Sequence, residues 1–247
     1  MNLEKISHGG DKLRVILALF CFCYFSHAKE FQHSCHYGQP IKHTYYQLCY
    51  DDFHKQSFWT AHRLTLSALN GNQTRTNDFR VDPYVLSRPV YKYDYRGSGH
   101  DRGHLVPAGD MKLNHKSMSE SFYMSNMSPQ KPGFNRGVWL KIENQVRRWA
   151  KEHQSIYVVT GPILTKNLSR LKSQVSIPEL FYKIVYIDHP QRPKMYAFLI
   201  ANEKSKQDIS SFLTSVDRIE ALAGIDFFTN LPSTLQSKLE SIVESGI

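Results

Sequence analysis

Residues 97–112 read GSGHDRGHLVPAGDMK and crowd Asp101, Arg102 and His104 around Gly103. An imidazole titrates near neutrality, so His104 is suited to take a proton from water at physiological pH. A guanidinium is a planar fork that fits phosphate oxygens, so Arg102 is suited to hold a phosphate. Together they fit phosphodiester cleavage, which needs a base for the attacking water and a cation for the phosphoryl group. The stretch holds no oxygen ligand obviously placed for a metal. His100 and His104 are four apart, as in helical zinc pairs, but Gly103 and Pro107 argue against a helix there. Asp101 reads as a structural acid that fixes Arg102 or a turn backbone.

A second segment supplies the missing oxygens. Residues 134–153 carry Val138, Trp139, Ile142, Val146 and Trp149 at intervals of one, three and four, behind Pro132 and Gly133. That pattern predicts a helix from about Asn135 onward, with both tryptophans in the core. At about 100° per residue, Asn135, Glu143 at about 80° and Arg147 at about 120° line one side. An amide oxygen from Asn135, with Glu143 holding a coordinated water, suits Mg²⁺, which takes oxygen ligands and keeps several waters. Taken alone, Glu143 and Arg147 are an ordinary i,i+4 pair worth a few tenths of a kcal/mol. A single histidine in a strand is likewise more often structural than catalytic.

The ordered set is more specific than its parts. DRGH at 101–104, NMSPQ at 126–130, FNRGVW at 134–139 and then Glu143 resemble the DNA/RNA non-specific endonuclease family, the endonuclease G-like ββα-metal nucleases. A weaker match continues through YVVTGPIL and IEALAGIDFF, so most of the chain is covered. A threonine usual before Gly224 is Ala223 here. The resemblance implies roles residue by residue. His104 matches the general base, Asn135 the metal ligand, and Glu143 the acid that orients metal-bound water. Arg102 matches a phosphate-contacting arginine, and Asn126 a polar group that helps hold the site. Arg147 and Arg75 match substrate or transition-state arginines, with Arg80 competing for the place of Arg75. It further implies Mg²⁺ as cofactor with Mn²⁺ able to substitute, DNA and RNA as substrates, and 5′-phosphate ends. A homodimer and a protein inhibitor are further partners compatible with it.

Those residues need a frame. Residues 44–65, 155–164, 179–188 and 194–202 are rich in β-branched and aromatic residues bounded by Gly, Pro or Asp, and predict strands. Residues 208–227, interrupted by Gly224, and 231–245 predict helices, 70–85 a surface loop, and 115–126 a short helix or coil. Tyr91 to Tyr95 alternates with polar residues before Gly97. Strands and helices mix without regular βαβ alternation. The expected fold is therefore α+β, a central, mainly antiparallel sheet flanked by helices, in a single domain over 29–247.

With 247 residues, 41% hydrophobic and a net charge of +9, the chain can bury a sizeable core and favours a polyanionic partner. Lys12 and Arg14, the apolar run 15–25 and Ser26-His27-Ala28 predict a signal peptide cut after Ala28, or else an uncleaved anchor. The expected location is secreted or periplasmic, with no stable membrane association after cleavage. Cys35 and Cys49 then remain as an even pair, predicting a disulfide worth about 3 kcal/mol. Asn72, Asn126 and Asn167 fit the glycosylation pattern. The competing readings are a secreted nucleic-acid-binding protein without catalysis and an exported nuclease toxin. Only the enzyme needs His104 together with Asn135.

Overall fold

Among the described residues every pairing between named strands is antiparallel, because successive strands return through hairpins or long excursions rather than βαβ crossovers. The computed structural model describes residues 31–247, so the expected signal peptide lies outside the described residues. The strands are β1 (Gln39–Lys42), β2 (Tyr46–Asp51), β3 (Gln56–Thr65), β4 (Asp101–His104), β5 (Met127–Gln130), β6 (Ser155–Pro162), β7 (Leu180–Ile187), β8 (Lys194–Ala201) and β9 (Leu213–Thr214). Seven form one sheet in the order β1-β2-β3-β6-β7-β8-β9, while β4 and β5 form a separate ribbon. The helices are α1 (Leu66–Leu69), α2 (His115–Glu120), α3 (Leu140–His153), α4 (Val216–Ala223) and α5 (Ser233–Glu240). This is the expected α+β class. Among the described residues, no helix is long and apolar enough to cross a membrane.

Period-two alternation makes the central sheet two-faced. Phe181, Val185 and Ile187 of β7 join the cluster under α3, with Ile142, Val146 and Trp149. Tyr182, Ile184 and Tyr186, the residues between, join the opposite cluster with Val216 and Ile219 of α4 and Leu239 of α5. Trp149 stacks on Tyr196 at 4.2 Å between centroids. Because both faces are covered, β6 to β8 read as nearly unbroken apolar runs. Both tryptophans are in the core, as the periodicity requires. Cys35 and Cys49 form the disulfide, with Cα atoms 5.7 Å apart.

Some boundaries differ from the sequence pattern. The helix expected over 208–227 is only α4. It starts behind Ser215, whose Oγ accepts from Arg218 N, and ends where Gly224 takes the left-handed conformation at φ 67°. Residues 209–214 are instead a 3₁₀ turn and the short edge strand β9. The terminal helix spans only Ser233–Glu240 of the expected 231–245. Residues Lys92–Tyr95 form a 3₁₀ turn.

Glu240 closes α5 at 4% exposure, and its Oε1 accepts no hydrogen bond. Burial, helped by the charges of Glu220, Asp226 and Asp217, pushes its carboxyl up to about 8. A folded-state value above the unfolded one means the folded protein holds the extra proton between about pH 4.5 and 8. Stability is therefore lost as pH rises through that window. Glu240→Gln, a neutral isostere, is expected to raise stability by about 2 kcal/mol at pH 8.5 and to match wild type at pH 5. Thermal melts at the two pH values check this, and an equal difference at both would overturn it.

Candidate active site

The DRGH stretch is strand β4, paired with β5 so that Asp101 faces Gln130, Gly103 faces Ser128 and His104 faces Met127. Gly103 is needed by close approach, since a Cβ there would lie 2.1 Å from the Gln130 side chain. Beyond His104 the chain is clipped by Asn126. Its Oδ1 accepts from Val106 N at 2.8 Å, and its Nδ2 donates to Val106 O at 2.9 Å and Ser121 O at 2.8 Å. Asn126 O also accepts from Leu105 N at 3.0 Å. Asn126 is fully buried with its whole amide in use, so it positions the backbone after His104 and presents no atom to a substrate. The same burial removes it as a glycosylation acceptor in the folded protein.

His104 lies against the edges of two aromatic rings, Phe122 at 4.9 Å and Phe79 at 5.8 Å. Burial, reinforced by the positive charges of Arg75 and Arg102, lowers its pKa to about 3, so the imidazole is neutral at physiological pH. Its Nε2 is enclosed without a hydrogen-bond partner, which leaves Nδ1 as the nitrogen for a substrate. Arg102 is immobilised: its guanidinium lies 4.5 Å from the Phe79 ring centre, and Nη1 donates to Lys92 O at 2.9 Å. Arg75 lies 4.8 Å over Phe122 and donates from Nε to Asn77 Oδ1 at 2.7 Å. Its charge acts on His104, and it feels the charge of Glu143 in turn. Arg80, the competing arginine, is instead tied to Asp78 and Ser119 O, each at 2.8 Å, and stacks on Tyr123.

Asn135 reaches the site differently from the helical-wheel expectation. Residues Phe134–Trp139 form a wide turn in which Gly137 leaves helical dihedrals, and the regular helix α3 begins only at Leu140. The 100° arithmetic therefore holds for Glu143 and Arg147 but does not extend back to Asn135. Asp101 supplies the missing placement. Its Oδ2 accepts from Asn135 Nδ2 at 2.9 Å, while Arg136 binds both its oxygens at 2.8 and 2.6 Å. Asp101 thus fixes Asn135 and Arg136 rather than Arg102 or a turn backbone. A carboxylate can only accept, so it holds the amide nitrogen and turns Asn135 Oδ1 away, free to serve as a ligand.

Glu143 and Arg147 on α3 sit in a buried chain of charges. Arg147 Nη2 donates to Glu143 Oε2 at 3.3 Å, and Nε donates to Asp110 Oδ1 at 2.6 Å. Asp110 Oδ2 meets His62 Nε2 at 3.3 Å. Gly109 leaves room for the guanidinium, since a Cβ there would lie 2.9 Å from Arg147 Nη2. Beneath lies Lys183 of β7, 1% exposed, with Nζ donating to Thr160 Oγ1 at 2.5 Å and 4.9 Å from the Trp139 ring centre. Burial raises the Glu143 carboxyl, against the charges of Arg147 and Lys183, which favour its ionised form. Burial also brings Lys183 down to about 8.

The structure joins His104, Arg102 and Arg75 through Phe79 and Phe122, joins Glu143 to Arg147, and lets the charge of Glu143 act on Arg75. Asn135 reaches the same ribbon through Asp101. Sequence reasoning gave no role to Asp110, His62, Lys183, Phe79 or Phe122. Lys183 did carry a signal, a lone lysine inside the apolar run LFYKIVYI, where a buried charge needs partners. The donors free for a cation, an amide oxygen and a carboxylate, are hard oxygens that fit a divalent metal of the Mg²⁺ or Mn²⁺ class.

The chain is similar to known nucleases. The family model described as DNA/RNA non-specific endonuclease matches residues 28–234. Nuclease C1 of Cunninghamella echinulata var. echinulata is 33% identical over 207 residues, covering 75% of this chain and 81% of its own length. Human mitochondrial endonuclease G is 30% identical over 202 residues, covering 75% and 68%. A crystal structure of the EndoG/EndoGI complex superposes with a TM-score of 0.73 at 30% identity, over 78% of this chain and 87% of that one. The match over most of the chain and the shared fold show that the chain belongs to the DNA/RNA non-specific endonuclease family.

Proposed function

We propose that this protein is a metal-dependent endonuclease that hydrolyses phosphodiester bonds in DNA and RNA with little sequence preference, leaving 5′-phosphate ends. The observation that carries the reading is the His104 imidazole set against Phe122 and Phe79, the two rings on which Arg75 and Arg102 lie. His104 Nδ1 removes the proton from the attacking water. Arg102 and Arg75 hold the non-bridging oxygens and gain strength as negative charge builds there. Their grip is on the backbone, which carries no base information, so weak sequence preference follows. Asn135 Oδ1 would hold a divalent metal, with Glu143 orienting its water; when bound, the metal supplies charge neutralisation at the phosphate and the departing 3′ oxygen. Arg147, committed to Asp110, Asn144 and Glu143 in the free protein, acts by orienting Glu143.

Mg²⁺ fits the oxygen donors, and Mn²⁺ is proposed to substitute. Secretion is supported by the signal-like N-terminus and the disulfide. The test is digestion of plasmid DNA and of RNA by the purified protein. Both are expected to be degraded with Mg²⁺, spared in EDTA, and degraded again once Mg²⁺ or Mn²⁺ exceeds the chelator. Full activity in EDTA would refute the metal role.

A further inference from the structure

Lys92, ten residues ahead of Arg102 in sequence and hydrogen-bonded to it, lies between two tyrosines that stand outside the core. Tyr91 and Tyr93 are 39% and 56% exposed, and their rings lie nearly parallel, 6° apart with centroids at 5.0 Å. The turn that carries them is pinned at both ends. Val90 and Tyr95 are buried with Met124 and Met127, beside and within β5. The Asp94 carboxylate is occupied by the Tyr91 N–H at 2.8 Å. The carbonyl of Lys92, between the two tyrosines, accepts from Arg102 Nη1 at 2.9 Å. Arg102 in turn lies on Phe79, whose ring meets His104. The pair is thus fixed next to the candidate catalytic centre.

Its surroundings select a ligand. Arg88, Lys92 and Arg96 are exposed on the same short segment, and among the described residues none has an ion-pair partner. Aromatic faces interleaved with unpaired cations match a single-stranded polynucleotide, whose free bases stack while its phosphates follow the cations. A duplex offers the phosphates but keeps its bases stacked on one another.

We propose that Tyr91 and Tyr93 form a stacking site for an unpaired nucleobase flanking the scissile phosphate, which favours single-stranded DNA and RNA over duplex. This rests on the nuclease reading for the identity of the polyanion, but its test does not require turnover. Fluorescence anisotropy in EDTA compares a labelled oligo-dT with a duplex of equal length. The Tyr91→Ala/Tyr93→Ala protein is expected to bind the single strand about ten-fold more weakly and the duplex within about two-fold of wild type. Tyr91→Phe/Tyr93→Phe keeps the rings and is expected to bind both as wild type does, which also covers any instability of the alanine protein. Replacing Arg88, Lys92 and Arg96 by Gln is expected to weaken both ligands alike and to flatten the salt dependence. Unchanged single-strand binding by the alanine protein, or equal loss for both ligands, would overturn the stacking site while leaving hydrolysis standing. A wild type that binds and never cuts would sink the nuclease reading and leave this one intact.

Discussion

Replacing His104 with alanine is expected to lower the single-turnover cleavage rate by about 10³-fold or more, at the upper part of what a general base contributes, while nucleic-acid binding survives. Binding survives because Arg75 and Arg102, the arginines proposed to carry the phosphate, are held by other groups: Asn77 and Phe122 for one, Lys92 O and Phe79 for the other. The pH profile separates a base from a packing residue. Burial and the two arginines lower the imidazole to about 3 in the free protein, so His104 is already in its basic form throughout the physiological range. Protonation of His104 is therefore not expected to set the acid limb of kcat/KM. Any acid limb is then assigned to Glu143, whose carboxyl burial raises and which is proposed to work ionised. A bound diester offsets the charges of Arg75 and Arg102, so the imidazole becomes more basic in the complex, where proton transfer needs it. Cleavage by the alanine protein at the wild-type rate would remove His104 from the reaction.

The sequence disclosed the site further than the geometry that builds it. The order DRGH, NMSPQ, FNRGVW and Glu143 named the residues because each is a chemically unusual choice for its place in an apolar frame. The strands β6 to β8 were legible because burial on both faces leaves nothing but apolar and aromatic residues between their turns. What pattern could not give was set by contacts between distant segments. The break at Gly137 interrupts a periodicity that otherwise runs through Phe134, Val138 and Trp139, all still buried, so the hydrophobic signal reads straight across it. Asp101 was assigned to the wrong neighbours because its partners, Asn135 and Arg136, lie 34 and 35 residues away. Arg75 and Arg80, both in one polar loop, became distinguishable only once Asp78 and Tyr123 were seen to occupy Arg80.

Asp110 illustrates what a residue without a motif role can still carry, and Asp110→Asn is expected to destabilise the protein by about 3 kcal/mol. The carboxylate is 2% exposed and joins His62 on one oxygen to Arg147 on the other. Burial alone would push it up, yet the His62 hydrogen bond and the Arg147 charge hold it below the usual carboxylate range. A depressed folded-state value stabilises the protein above the unfolded aspartate's pKa and loses that contribution as pH falls through the folded one. The difference between variant and wild type is thus expected to be the same in urea melts at pH 7 and pH 5, and to shrink only below about pH 4. Asparagine keeps the volume but cannot accept from both sides, so an amide NH₂ is turned toward either the guanidinium or the imidazole. Arg147 in either case loses the negative charge of its tightest partner, and Glu143 is held less firmly. Activity is therefore expected to fall even at temperatures where the variant is fully folded. Glu143→Gln supplies the contrast: it removes an acid that burial disfavours, so its activity should drop far more than its stability. An Asp110→Asn protein with wild-type melts would show that the buried chain of charges contributes nothing to folding. One that is less stable but fully active when folded would confine Asp110 to the scaffold.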